Sequence, residues 1–459
     1  MYSVSLLTFA LAGLAYAAPE EDRVLEVPGM AVFDNFGFYS GYLPIPDTGK
    51  SLHYLFAESQ SNPSTDPLII WFNGGPGCSS MLGWAQEHGP YVMDSGTDFW
   101  RKNDYSWNNE ANVIYIESPA GVGYSFCSTL KECSFTDEKS SLDNLTAVLA
   151  WFEKFPEFKG HDLYISGESY AGIYVPYLSY QIDLYNTAHA ADDTVFKPNL
   201  QGFMVGNGVT NWNYDTNNAY VEMAFFHSLY DTALYQQFKD NNCNFGGAYL
   251  SQATPACLTL FSQFQSYTAD VNVYDIFGIC YGPEPHPQMY NSAPRKSYSS
   301  NDYTPWLKNP ASNVLPPCTW GSSLYEYLNA AATRDALHIP AELGEWELCT
   351  NKIHYKIDSA GSQWIYEALA GKYRMLHYSG DTDGAVPTLG TQNWIASLGW
   401  NTTEAWRPYF WNGQVGGYLE AYEGDLTFGT IHGAGHMAPQ FKPPQTYHLI
   451  FNWLNQTPI

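Results

Sequence analysis

The stretch from Leu163 to Tyr180, LYISGESYAGIYVPYLSY, constrains the fold more than any other part of the chain. It sets Ser169 at a sharp turn between a short β-branched strand and an amphipathic helix. Small side chains at Gly167 and Ala171 let such a turn close and expose the serine oxygen, with a helix N-terminus behind it that favours negative charge. The turn therefore predicts a nucleophile. Because Ala171 stands where the general motif has glycine, this short match fits a structural turn equally well.

The composition predicts a globular protein. The chain has 459 residues, of which 45% are hydrophobic and 17% aromatic, so it can bury a large core as one enlarged domain or as a domain with an insertion. The 46 acidic and 20 basic residues give a formal net charge of −26, which predicts repulsion of nucleic acid and of anionic membrane surfaces. This charge is consistent with an acidic compartment, although acidic surfaces mostly serve solubility.

The N-terminus predicts a secreted protein. An apolar run from Val4 to Leu14, followed by Ala15, Tyr16 and Ala17, predicts a signal peptide over residues 1–17, although no basic residue precedes the run. No later segment is apolar over the length that a membrane span requires. We therefore expect the mature chain in the secretory pathway, either in a vacuole or lysosome or outside the cell.

The cysteines and sequons fit that compartment. Eight cysteines without a CxxC pair favour disulfides over metal ligation, and we expect neither a metal nor a cofactor. By spacing, Cys127 could pair with Cys133 and Cys243 with Cys257. Candidate glycosylation sites are Asn144, Asn401 and Asn455.

Short apolar runs that end at glycine, asparagine or aspartate predict buried parallel strands. They span Leu68–Phe72, Asn112–Glu117, Leu163–Ser166, Leu200–Val205, Arg374–Tyr378 and Leu426–Ile431, and an antiparallel hairpin is predicted within 30–60. Helical spacing of Leu142, Leu145, Val148, Leu149 and Phe152 between two of these runs indicates an α/β fold with a mostly parallel sheet covered on both faces.

The alternation of predicted strands and helices is interrupted in the middle of the chain. We predict a core formed by 18–211 and 326–459, with residues 212–325 inserted as a helical cap. Within the insertion, residues 282–317 are rich in proline, serine and asparagine, which predicts a flexible loop.

A serine nucleophile needs a histidine to take its proton and a carboxylate to orient that histidine. Downstream of Ser169, Asp383 lies in SGDTDGAVP and His436 in HGAGHMAP, each after a predicted strand. The order serine, aspartate, histidine is that of α/β-hydrolases. On the residues alone, Asp381 competes with Asp383 and His432 with His436.

The segment NGGPGCSS, residues 73–80, directly follows a predicted strand. Adjacent glycines let backbone N–H groups point into a cavity, as an oxyanion hole requires. A phosphate-binding loop is excluded because no lysine followed by serine or threonine completes that motif.

WFNGGPGCSS, GESYAG, SGDTD and HGAGHMAP, in this order, resemble the signature motifs of the serine carboxypeptidase family, and the resemblance runs from about Val27 to the C-terminus. It implies an α/β-hydrolase fold with Ser169 as nucleophile, His436 as base and Asp383 as the orienting carboxylate. It also implies the backbone N–H groups of Gly75 and Tyr170 as oxyanion donors. The residues that it implies for binding the free carboxylate of a peptide are Trp71, Asn73, Gly74, Glu87 and Glu168.

Two glutamates brought together share a proton, and a protonated pair can donate a hydrogen bond to a carboxylate, so we expect activity at acidic pH. The substrates would be the C-termini of peptides and proteins, and we allow for a homodimer. The resemblance further implies the disulfides Cys78–Cys349 and Cys280–Cys318.

Three other functions are weaker predictions. A zinc carboxypeptidase is disfavoured, since no HExxH motif occurs. Some plant members of the family transfer an acyl group from a glucose ester, but the complete carboxylate-binding set favours a peptidase. A protective partner of lysosomal enzymes is a third class, and nothing in the sequence identifies a surface for it.

Overall fold

The computed structural model describes residues 18–31, 33, 35–94, 97–129, 131–250, 253–280 and 322–459. The predicted signal peptide and the predicted loop 282–317 lie outside the described residues.

The strands are β1 (Phe38–Ile45), β2 (Lys50–Ala57), β3 (Leu68–Phe72), β4 (Tyr91–Val92), β5 (Arg101–Lys102), β6 (Asn112–Ile116), β7 (Phe126–Cys127), β8 (Ser134–Thr136), β9 (Leu163–Glu168), β10 (Leu200–Gly206), β11 (His354–Lys356), β12 (Arg374–Gly380), β13 (Thr402–Trp411), β14 (Gln414–Tyr422) and β15 (Leu426–Ile431). The α-helices are α1 (Asp137–Lys154), α2 (Ala171–Ala188), α3 (Asn217–Phe226), α4 (Thr232–Asp240), α5 (Pro255–Thr268), α6 (Ser322–Asn329), α7 (Ala331–Ala336), α8 (Gln363–Leu369), α9 (Thr388–Ser397), α10 (Ala438–Phe441) and α11 (Pro443–Leu454).

Among the described residues, eleven strands form one central sheet in the order β1-β2-β6-β3-β9-β10-β12-β15-β14-β13, with β7 paired to β2. The six strands from β6 to β15 are parallel to one another, and antiparallel strands close both edges. The predicted hairpin is β1 and β2, which pair antiparallel. The predicted α/β fold with a mostly parallel sheet is confirmed.

The central strands are buried on both faces. Along β3, Ile70 and Phe72 belong to the hydrophobic cluster under α1 and α2, while Ile69 and Trp71 belong to the cluster on the opposite face. This double burial explains why the sequence of β3 is a continuous apolar run and not an alternating one.

Several strands run further than the sequence predicts. Strand β9 continues through Gly167 and Glu168, because these residues pair with the ends of β3 and β10. Strands β10 and β12 likewise extend to glycines at 206 and 380. The strand ends therefore lie directly beside the predicted catalytic residues.

Helix α1 confirms the predicted helix, but it is rotated relative to the predicted apolar stripe. Leu142 is 45% exposed, whereas Asn144 is fully buried and accepts a hydrogen bond from the Ser118 hydroxyl at 2.7 Å. A glycan on the buried Nδ2 of Asn144 does not fit this packing, so the prediction of glycosylation at Asn144 is wrong for the folded chain. Asn401 and Asn455 are exposed and stay predictions.

Within residues 212–325, helices α3, α4 and α5 pack around their own hydrophobic cluster, which includes Tyr220, Phe238, Phe261 and Phe264. Helix α6 runs across the predicted boundary at residue 325, so the limits of the insertion stay a prediction. Across the described residues, we find no helix with the length and apolar character of a membrane span.

Candidate active site

Ser169 lies at the tip of the turn between β9 and α2. Its backbone has a φ of +64°, a left-handed conformation that a side chain rarely adopts, and its N–H donates to the carbonyl of Gly206 at 3.1 Å. A Cβ at Gly167 would lie 2.4 Å from the carbonyl oxygen of Phe72, so only glycine fits beneath the turn. The strained turn is that of a nucleophile elbow.

The carboxyl ends of β12 and β15 bring Asp383 and His436 together. Nδ1 of His436 lies 2.6 Å from Oδ2 of Asp383, and both side chains are buried. Nε2 of His436 is also buried and has no hydrogen-bond partner among the described residues. In particular, it makes no hydrogen bond to Ser169. A serine–histidine hydrogen bond is often long in the absence of substrate. This nitrogen is therefore available to take a proton from a serine hydroxyl.

Backbone and side-chain donors fix the carboxylate of Asp383. Its Oδ1 accepts from the N–H of Ala385 at 2.7 Å, and its Oδ2 accepts from the N–H of Val386 at 3.1 Å. Oδ2 also accepts from Nδ2 of Asn207 at 2.9 Å. Sequence reasoning missed Asn207. The available signal was an asparagine between two glycines at the end of a predicted strand.

Asp381 and His432, the alternatives to Asp383 and His436, form a second pair. Nδ1 of His432 lies 2.8 Å from Oδ2 of Asp381, whose other oxygen accepts from the N–H of Gly433 at 2.6 Å. The side chains of His432 and Asp381 are 62% and 30% exposed, so this pair lies at the surface beside the buried one.

The glycine-rich loop after β3 packs directly against the elbow. A Cβ at Gly74 would lie 2.4 Å from the backbone nitrogen of Tyr170 and 2.8 Å from Cβ of Ser169. The N–H of Tyr170 lies just before α2, where a helical N–H has no carbonyl four residues earlier to bond. Gly75 follows with a φ of +113°. The loop therefore places Gly74, the residue before Gly75, directly against the backbone of Tyr170.

One disulfide anchors the glycine-rich loop, and others lie elsewhere in the chain. The structure contains Cys78–Cys349, which ties the glycine-rich loop to a distant segment, and it also contains Cys127–Cys133 and Cys243–Cys257. Cys280 is disulfide-bonded. Because Cys318 lies outside the described residues, the pairing Cys280–Cys318 stays a prediction.

Asn73 holds two buried glutamates beside the elbow. Its Oδ1 accepts from Nε1 of Trp71 at 2.8 Å and from the N–H of Gly83 at 3.0 Å, which fixes the orientation of the amide. Its Nδ2 therefore donates to Glu87 at 3.1 Å and to Glu168 at 3.0 Å. Both glutamates are almost fully buried, and their side chains also hydrogen-bond to each other.

This environment favours the protonated form of the two carboxyl groups. Burial raises the pKa of Glu87 and of Glu168, because a charge is costly away from water. The charge of Glu87 raises the pKa of Glu168 further, while the hydrogen bond from Asn73 lowers the pKa of both. Since two neighbouring carboxyl groups cannot both ionise readily, the pair holds a proton in acidic solution.

The insertion is bonded to both loops that carry the Asp383–His436 pair. The N–H of His436 donates to the carbonyl of Tyr274 at 2.6 Å, and the N–H of Gly384 donates to the carbonyl of Val273 at 2.8 Å. The hydroxyl of Thr382 donates to the carboxylate of Asp275 at 2.8 Å. The insertion thus forms one wall of the site.

A nucleophile elbow, a buried Asp–His pair in the order Ser169, Asp383, His436 and a glycine-rich loop on a mostly parallel sheet define an α/β-hydrolase. The family model described as serine carboxypeptidase matches residues 28–456. The chain is 35% identical to serine carboxypeptidase 1 of Hordeum vulgare, with 95% of this chain and 93% of the relative covered. It is 33% identical to the lysosomal protective protein of Mus musculus, with 99% and 98% covered.

Among solved structures, the fold resembles that of Kex1(delta)p, a prohormone-processing carboxypeptidase from Saccharomyces cerevisiae. The TM-score is 0.74 at 20% sequence identity, and 96% of this chain and 97% of that chain are covered. The chain belongs to the serine carboxypeptidase family, a family of hydrolases.

Proposed function

We propose that this protein releases C-terminal residues from peptides and proteins at acidic pH through an acyl-enzyme intermediate on Ser169. Ser169 Oγ attacks the carbonyl carbon of the last peptide bond while Nε2 of His436 takes its proton. Asp383 keeps the imidazole in the required tautomer and stabilises its charged form. His436 then gives the proton to the leaving amine, and water hydrolyses the acyl-enzyme by the same acid–base route.

In this proposal the backbone N–H groups of Gly75 and Tyr170 bind the oxygen that becomes negative in the tetrahedral intermediate. One such donor contributes about 3 kcal/mol to lowering the barrier in related acyl transfer. The close approach of Gly74 to Tyr170 supports this role, since it sets the residue before Gly75 against the backbone nitrogen of Tyr170 and against Ser169.

The free carboxylate of the substrate binds at the buried pair. The residues that we assign to it are Trp71, Asn73, Gly74, Glu87 and Glu168. A protonated glutamate donates a hydrogen bond to the carboxylate, whereas an ionised pair repels it. As the pH rises through the raised pKa values of the pair, binding weakens, and this gives the acidic preference.

The observation that carries the proposal is the double hydrogen bond from Asn73 to two buried glutamates, one of which directly precedes Ser169 in the chain. A site for a negative group right next to the nucleophile selects a substrate whose scissile bond lies one residue from its free end. An internal peptide bond has no carboxylate to offer there.

Ser169→Ala tests the proposal. The wild-type enzyme should release the last amino acid of an N-blocked dipeptide and should be labelled by an organophosphate at Ser169. The variant should lose hydrolysis by at least about ten-thousandfold and lose the label, while its circular dichroism spectrum stays unchanged. Labelling at another serine would refute the assignment, and transfer from a glucose ester without peptide hydrolysis would favour the acyltransferase function.

We further propose that the protein acts in the secretory pathway, in a vacuole or lysosome or outside the cell. Disulfides such as Cys78–Cys349 and Cys243–Cys257 form and persist in oxidising compartments. The name of the mouse relative, lysosomal protective protein, supports the same assignment.

A further inference from the structure

Asp137, the first residue of α1, is a buried acid outside the predicted site, and only 2% of its surface is exposed. Its Oδ1 accepts hydrogen bonds from the hydroxyls of Tyr170 and Tyr355, each at 2.8 Å. Its Oδ2 accepts from the N–H of Asp358 at 2.6 Å. All of these contacts come from other parts of the fold. The parallel pairing of β8 with β11 brings Tyr355 and Asp358 to the start of α1, and Tyr170 precedes α2, which packs against α1.

Asp137 is not needed as the cap of its own helix. Thr136 fills that role, since its side chain accepts from the N–H of Lys139 at 3.2 Å. Burial raises the pKa of Asp137 to about 6, although the three hydrogen bonds oppose the shift. A buried carboxylate contributes little to stability by itself. The contacts of Asp137 therefore point to a role in holding its partners in place.

One of these partners is the residue that follows the nucleophile. The ring of Tyr170 is buried and packs against Tyr174, Tyr355 and Trp212 with ring centroids 5.2, 5.7 and 6.1 Å away. The bond to Asp137 fixes the far end of the ring, and the backbone N–H lies at the near end, against Gly74. The ring and the N–H belong to one closely packed residue, so we expect a shift of the ring to disturb the position of that N–H.

We propose that Asp137 is a positioning residue for the oxyanion hole: it holds the Tyr170 hydroxyl and so fixes the Tyr170 N–H beside the glycine-rich loop. This inference rests on the proposed function, because it assumes that the Tyr170 N–H binds the oxyanion. Donors to a developing charge act only when they are fixed before the reaction, and a displacement of about 1 Å can cost a hundredfold in rate.

The two tyrosines provide a matched pair of variants. Tyr170→Phe and Tyr355→Phe each remove one hydroxyl from the same oxygen of Asp137, both at 2.8 Å, and leave that oxygen with the other tyrosine. Both should therefore fold and lose thermal stability to a similar extent. Only Tyr170→Phe frees the residue next to the nucleophile.

The test measures kcat and KM on an N-blocked dipeptide and the rate of inactivation by an organophosphate. We expect Tyr170→Phe to lower kcat and the inactivation rate by about tenfold or more, with KM within about twofold, and Tyr355→Phe to leave both rates within about twofold. Equal losses in the two variants, or a change in KM alone, would overturn the inference.

Asp137→Ala is a second variant for the same measurement. It removes both accepting oxygens and leaves the Tyr170 hydroxyl without its acceptor, so it should lower kcat at least as much as Tyr170→Phe. Unchanged kcat in folded Asp137→Ala would also overturn the inference. These failures leave the proposed function standing as long as Ser169→Ala is inactive, whereas hydrolysis by Ser169→Ala would refute the proposed function itself.

Discussion

At the scale of single residues, burial separates two chemically identical pairs. The Asp383–His436 pair has almost no exposed surface, whereas the Asp381–His432 pair faces solvent. A hydrogen bond between a carboxylate and an imidazole is stronger away from water, while an exposed ion pair contributes at most about 1 kcal/mol. Only the buried pair can hold an imidazole in one tautomer during a reaction.

We predict that Asp383→Asn and Asp381→Asn differ sharply in activity. The amide at 383 no longer favours the required tautomer of His436, so kcat should fall by about ten-thousandfold. Asp381→Asn should keep kcat within a few-fold of wild type and serves as the control. Steady-state kinetics on an N-blocked dipeptide measures both, and a larger loss in Asp381→Asn would reverse the assignment.

The sequence predicts the residue types of the site but not every assignment. On the residues alone, Asp381 and Asp383 cannot be told apart, because they lie two residues apart on one loop. They differ in burial only once the chain is folded. Asn207 was not predicted, because its contact with Asp383 joins residues 176 positions apart. Glu87 and Glu168 came from the resemblance, since no local pattern links them.

At the scale of elements, the buried strands were predictable because a strand covered on both faces is a continuous apolar run. The hydrogen bonds between the insertion and the loops that carry Asp383 and His436 were not predictable from the sequence. The carbonyls of Val273 and Tyr274 accept those hydrogen bonds, and a backbone carbonyl has no residue-type signature. Their position depends on how α3, α4 and α5 pack, and their own cluster is separate from the two clusters of the core.

Helix α1 explains the wrong prediction at Asn144. Leucine spacing placed Leu142 on the buried face, but the buried face of the helix includes Ser140, Asn144, Ala147 and Trp151. Small polar residues lie there because that end of α1 faces polar partners such as Ser118. A sequon reports only local sequence, so it could not show that Asn144 faces inward.

At the scale of the whole molecule, buried acids link stability to pH. Burial raises the pKa of Glu87 and Glu168 and raises that of Asp137 to about 6 and that of Asp215 to about 7. In the folded state these groups keep protons that the unfolded chain has already lost, so stability falls as the pH rises through the folded pKa values. Each group contributes at most about 1.4 kcal/mol per pH unit.

Buried histidines have the opposite effect at lower pH. Burial lowers the pKa of His88 and lowers that of His377 to about 3, so the unfolded chain takes up their protons below about pH 6.5. Above that pH, these histidines no longer affect the pH dependence of stability, and the effect of the buried acids can be measured separately. The net charge of −26 acts in the same direction as the acids, because ionisation adds self-repulsion.

We predict that the free energy of unfolding decreases between about pH 6.5 and pH 8. For Asp215→Asn, the free energy of unfolding should decrease less steeply with pH, since the buried amide does not titrate. Asp215 lies outside the proposed site, so the substitution leaves the site residues in place. Denaturant unfolding of both proteins at several pH values measures the two slopes. Equal slopes would show that Asp215 does not keep its proton in the folded state.

The central claim is that a protonated pair, Glu87 and Glu168, binds the free end of a peptide next to Ser169. The most direct test is the KM of an N-blocked dipeptide and of its C-terminal amide, measured at about pH 4.5 and about pH 8. For the wild type, KM of the free acid should rise at least about tenfold with pH, because the ionised pair repels the carboxylate, while KM of the amide stays within about twofold.

Glu168→Gln provides the matched variant for this measurement, since a glutamine donates a hydrogen bond at either pH. Its KM for the free acid should change far less with pH than that of the wild type. If KM of the free acid and KM of the amide show the same pH dependence in both proteins, the two glutamates do not bind the carboxylate. That result would contradict the central claim.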